Sequence, residues 1–137
     1  MTIKTLLAPN KNSIWIAFFW TFLILYLSLR NVTNMPKITF SNADKIVHFT
    51  FYLGFVILWY RYLVFKEKVL LSNKIVLVLI SITFGIAIEF AQKYFTTTRQ
   101  ADILDVLANS AGTLVGIFVA TRIFQKNKNR KYSINKN

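Results

Sequence analysis

Residues 75–91 read IVLVLISITFGIAIEFA, an apolar run from Ile75 to Ala91 whose one ionisable side chain is Glu89, close to its end. A run of this kind approaches the ~20 residues that carry a helix across a hydrocarbon core about 30 Å thick. Three more follow the same pattern: Ser13–Leu29, Ile46–Val64 and Val106–Phe124. Together they nearly exhaust the 137 residues and account for the 55% apolar content. The expectation is an all-α membrane protein of four transmembrane helices in a compact bundle, with no appended soluble domain.

Charge gives that bundle a direction. The net charge of +12 does not point to nucleic acid, because the basic residues flank apolar runs instead of lining one face. Lys4 and Lys11 precede the first run, and Arg61, Lys66, Lys68 and Lys74 surround the middle loop. Arg122, Lys126, Lys128, Arg130, Lys131 and Lys136 follow the last run. The opposite side carries only Arg30, Lys37, Lys45, Lys93 and Arg99. Excess positive charge stays in the cytoplasm, so both termini are expected there, in a multi-pass protein of the bacterial inner membrane. The first run lacks a small-residue cleavage pattern near Ser28–Arg30 and reads as a retained helix. The basic tail, residues 125–137, is expected to be disordered or to lie on anionic lipid. There is no cysteine, so neither a disulfide nor a thiolate metal site is available.

Against this background the carboxylates stand out. Asp44, Glu89, Asp102 and Asp105, with the single histidine, His48, all fall at run ends on the same side. Ionisable groups beside lipid are costly, so their convergence is a functional-site hypothesis. A helix start near Ser41–Asp44 fits capping preferences. Asp44 and His48, four apart, share a helical face and can act as an acid/base or ligand pair, or anchor the helix end. Glu89 and Gln92 share a face one turn in; the plainer alternative is a Glu89–Lys93 pair. Asp102, Asp105 and Asn109 form a polar stripe. The aspartates suit a helix N-terminus, but Asn109 lies about 10 Å below Asp102 and must hydrogen-bond another helix, water or ligand.

Ala108, Gly112, Gly116 and Ala120 continue that helix at intervals of four, with GTLVG at residues 112–116. Small residues so spaced let helices approach closely, within the bundle or between copies of the chain. The aromatics read as lipid-facing or core filler, with Trp15, Trp59 and Tyr60 placed as an interfacial belt.

Three blocks taken in order resemble the VanZ-like family of small bacterial membrane proteins: Asp44-Lys45-x-x-His48-Phe49, Glu89-x-x-Gln92, and Arg99-x-x-Asp102-x-x-Asp105-x-x-Ala108-Asn109-x-x-Gly112. The resemblance covers about residues 41 to 120 and implies that residues 1–124 form the family's domain. Where many members have a Pro-Gly turn before the arginine, this chain has Thr96-Thr97-Thr98. The resemblance implies a link to the cell envelope, the family's name deriving from a member associated with teicoplanin resistance. It implies no reaction.

Three functional classes follow. In the first, an outward-facing polar pocket recognises a lipid-linked or anionic headgroup: Lys45, His48 and Arg99 contact phosphate or carboxylate, and Glu89 and Asp105 orient them. In the second, the same groups perform acid/base chemistry on a headgroup; no cofactor is expected except a divalent metal on His48, Glu89, Asp102 and Asp105. In the third, the polar groups are interhelical glue in a subunit of an envelope complex. Membrane lipids are the expected partners, with a lipid-linked envelope precursor or a second copy joined through the fourth helix as further ones.

Overall fold

The computed structural model describes residues 8–31, 42–97 and 100–134, with side chains as far as Phe124, and all regular structure among them is helical. Helix α1 spans Ser13–Leu29, α2 Ala43–Phe65, α3 Leu71–Phe95 and α4 Ile103–Ile134. Helices α2, α3 and the Ile103–Phe124 part of α4 are long and apolar enough to cross a membrane; α1 is apolar but shorter, at 17 residues. At ~1.5 Å per residue α1 is about 25 Å long.

Helix α1 coincides with its apolar run, whereas the other three helices outrun theirs. Helix α2 takes in Asp44 and Lys45, and α3 continues through Gln92 and Lys93 to Phe95. Backbone hydrogen bonding carries the helices past the residues that lipid tolerates, so the ionisable groups ride on regular terminal turns. Helix α4 runs beyond Phe124 into the basic tail as far as Ile134, with no glycine or proline after Gly116 to stop it.

Local chemistry sets the other ends. Ahead of α1, Asn10 Oδ1 accepts from the Asn12 N–H at 3.0 Å, and the Ser13 hydroxyl accepts from the Asn10 N–H at 3.0 Å. Asn42 precedes α2 in the left-handed region (φ 66°) and makes no side-chain cap; Ser41 lies outside the described residues. After α2 the Glu67 N–H donates to the Val64 carbonyl (3.1 Å) and the Lys68 N–H to Leu63 (2.9 Å). That pairing is a Schellman closure, with Glu67 (φ 57°) where glycine is usual.

The surface and the interior exchange their usual roles. Phe19 and Phe22 on α1, Leu79 and Ile80 on α3, and Leu114 and Phe118 on α4 are all exposed. His48, Ser81, Glu89, Gln92, Asp105, Asn109 and Thr113 are buried. Polar groups inside and aliphatic groups outside suit a hydrocarbon surround. The apolar core between them comprises Ile24, Tyr52, Phe55, Val56, Tyr60, Leu77, Ile88, Ala120 and Phe124. Partly buried Phe84 packs against it, its ring stacked on that of Phe55 with centroids 5.5 Å apart.

Tyr60 therefore departs from the belt expected of it. It is fully buried, against Phe124 and beneath the Lys74 ammonium, because it faces α4. Trp59 packs on Phe18 and donates to the Thr21 hydroxyl at 3.2 Å, while Trp15 is exposed. Arg61, counted above as a flanking charge, is buried too; its guanidinium donates to the Ala8 carbonyl at 2.9 and 3.2 Å.

Helix α2 touches the three others, whereas α1 and α4 do not meet among the described residues. The α2–α4 contact is the most extensive, and glycine makes it possible. A Cβ on Gly112 would collide with the Phe49 carbonyl oxygen and lie 3.0 Å from its carbon. One on Gly116 would sit 3.1 Å from the Leu53 carbonyl oxygen. The small-residue seam is thus filled within the chain, leaving the outer face of α4 for any contact between copies. Gly112→Ala should force the backbones apart and cost about 1–3 kcal/mol, seen as a lowered Tm in detergent. An unchanged Tm would refute the close-approach account.

Candidate functional site

The N-terminal turns of α2 and α4 and the C-terminal turn of α3 meet at one end of the helices. From α2 come Asp44, Lys45 and His48; from α3, Glu89 and Gln92; from α4 and the residue before it, Asp102, Asp105 and Asn109. Asp44, His48, Gln92, Gln100, Asp102 and Asp105 line a cavity of about 440 Å³ there.

Lys45 is the hub of its outer layer. Its ammonium donates to Asp102 at 2.9 Å, Asp44 at 3.0 Å and Asp105 at 3.2 Å. Asp102 also caps α4, accepting from the Leu104 N–H at 2.9 Å. The Lys45 ammonium, then that N–H, hold the Asp102 carboxyl below its ordinary value near 3.8.

Beneath lies a buried layer centred on His48, 4% exposed. Its Nδ1 is 3.1 Å from Asn109 Oδ1 and 3.6 Å from Glu89 Oε1, and its Nε2 is 3.8 Å from Asp105 Oδ2. The first is a hydrogen bond; the other two are too long for one. Each carboxylate is held from behind: Asp105 Oδ1 accepts from Lys45, and Glu89 Oε2 faces the Asp102 N–H at 3.4 Å. Asn109 Nδ2 and the Tyr52 hydroxyl are buried with no hydrogen-bond partner among the described residues.

The polar stripe also goes deeper than Asn109. Thr113 donates to the Asn109 carbonyl at 3.0 Å, so the 2.7 Å contact with Ser81 is one in which Ser81 donates. Gln92 lines the cavity and spends its Nε2 on the Ser28 carbonyl at 3.0 Å, fastening the end of α1 to α3.

The residues marked from sequence are not all paired as their spacing suggests. Asp44 and His48 share a face but do not bond: Asp44 is drawn to Lys45, and His48 turns inward to Asn109. Lys93 is exposed beside the Tyr94 ring, while Glu89 is buried towards His48. Arg99 lies outside the described residues. Gln100, Tyr52, Ser81 and Thr113 were not anticipated. Spacing could have found two of them, since Tyr52 follows His48 by four and Thr113 follows Asn109 by four.

Asp102 gives the outer layer a measurable acid limb. Because its folded pKa lies below the unfolded one, its contribution is present above about pH 4 and disappears as pH falls through the lower folded value. Asp102→Asn should therefore flatten the loss of Tm between about pH 6 and pH 2; an identical acid limb in the variant would remove Asp102 from the Lys45 clamp.

With this geometry described, comparison with known proteins is informative at one level. No curated protein and no solved structure matches the chain. The family model described as VanZ/LLP1 matches residues 3–125, a stretch that holds α1, α2, α3, the membrane-spanning part of α4 and every residue of the site. With three span-length apolar helices, the chain is a multi-pass membrane protein that belongs to the VanZ/LLP1 family.

Proposed function

We propose that this VanZ-like envelope protein uses the cavity between α2, α3 and α4 to recognise the polar headgroup of a lipid-linked envelope component. The supporting observation is the lining: carboxylates and amides at the end of an otherwise lipid-facing helical set. Such groups accept hydrogen bonds from sugar hydroxyls and ammonium groups. The lining is acidic, and Lys45 beside it is already engaged by three aspartates, so an anion meets no idle lysine or arginine among the lining residues. A hydroxyl- or amino-bearing headgroup suits the cavity better than a bare phosphate.

The basic residues on the opposite side support an orientation with both termini in the cytoplasm and the cavity facing outward. The chain's lack of cysteine gives a clean background for testing this. Cysteines at Asn42 and Thr97 should react with an impermeant maleimide from outside intact cells, and cysteines at Ser72 and Asn129 only after permeabilisation. The reverse pattern would place the cavity at the cytoplasmic leaflet and end the envelope-substrate reading.

Native mass spectrometry tests recognition, with a polyprenyl-pyrophosphate-linked saccharide compared against phosphatidylglycerol. The saccharide lipid should bind at least about tenfold more tightly, and Asp105→Asn should remove most of that preference, as expected when a buried charge is lost and one acceptor oxygen becomes an amide donor. Equal affinity for the two lipids would overturn the proposal.

A further inference from the structure

The buried layer of the site has the composition and spacing of a metal centre. His48, Glu89 and Asp105 each offer a donor atom within 4.8 Å of the others, and all three side chains are buried. Donors that share an ion at about 2.1 Å stand roughly 3–4 Å apart. Glu89 Oε1 lies 3.6 Å from His48 Nδ1 and Asp105 Oδ2 lies 3.8 Å from Nε2, so the carboxylates face opposite ring nitrogens, only one of which can ligate an ion, and both separations exceed hydrogen-bond length.

The surroundings are those of ligands already oriented. The outer oxygen of Asp105 is held by Lys45 and that of Glu89 faces a backbone N–H, while the remaining oxygen of each is directed at the imidazole. With Asn109 Oδ1 accepting from Nδ1–H, Nε2 faces Asp105 Oδ2. In that tautomer a neutral imidazole sets a lone pair against a carboxylate, an opposition that a proton or a metal cation between them relieves. Beside the imidazole, Asn109 is 1% exposed and its Nδ2 has no hydrogen-bond partner among the described residues.

We infer that His48, Glu89 and Asp105 bind a divalent first-row transition-metal ion, with Asn109 fixing the imidazole. One imidazole with two carboxylates, and no thiolate, suits Zn²⁺ or Mn²⁺; Mg²⁺ and Ca²⁺ favour all-oxygen sets. The inference deepens the headgroup reading, because a bound cation gives the acidic cavity a point of attachment for a pyrophosphate. Its own test needs no lipid.

The full chain, free of any polyhistidine tag and purified in detergent, is exposed to ZnCl₂, dialysed and assayed by elemental analysis and thermal unfolding. One zinc per chain should remain until a chelator is added, and Tm should rise by at least about 5 °C with Zn²⁺ but not with Mg²⁺. Glu89→Gln and Asp105→Asn should each weaken binding at least about tenfold, whereas Glu67→Gln, in the turn after α2, should not. Folded wild-type protein without stoichiometric zinc would overturn the inference, as would full retention of zinc in both site variants. A failure here leaves the saccharide-lipid preference untouched, and a zinc-loaded chain with no such preference counts against the headgroup reading alone.

Discussion

The approach of Gly112 to the Phe49 backbone is the constraint from which the site follows. Phe49 adjoins His48, and Gly112 lies three residues beyond Asn109. Pressing those two points together sets α2 and α4 in register, so that His48 meets Asn109 and, one turn outward, Lys45 meets Asp102 and Asp105. A larger residue at 112 would separate the imidazole from its acceptor and the ammonium from its carboxylates at once. Packing and polarity at this end are one arrangement.

Burial then decides what these groups do. In water the Lys45 ion pairs would contribute little. In the buried layer beneath them, where His48, Glu89 and Asp105 are shielded from solvent, each charge has to be met by another polar group. Hence the layering, in which a partly exposed lysine gathers three aspartates and a buried histidine takes the amide and two carboxylate edges. Ser81 and Thr113 continue the same economy inward, each hydroxyl satisfied by its neighbour.

Much of this was legible in the sequence, for physical reasons that also explain the gaps. Apolar runs near span length leave a chain few options besides helices, and the four runs became four helices. The run Asp102, Asp105, Asn109 marks one helical face by spacing alone. Which neighbour that face meets depends on the crossing of α2 and α4, and so Asp44 was assigned to His48 when Lys45 takes it. Arg61 and Tyr60 were misread because composition places them at a helix end, whereas the fold turns both inward. Gln100 carries no signal at all: it reaches the cavity only through the path of the segment ahead of α4.

Arg61 has one more consequence. Its guanidinium is sequestered against the Ala8 carbonyl, thirteen residues along α2 from His48, a separation of about 20 Å at ~1.5 Å per residue. One helix therefore holds a fixed positive charge near one end and leads into a nest of carboxylates at the other. In an energised membrane such a charge separation is an electrical element, since moving one elementary charge through the whole field costs about 2.3 kcal/mol per 100 mV. The buried histidine layer lies a turn inside the helix ends, so a cation entering the site proposed there would cross part of that field.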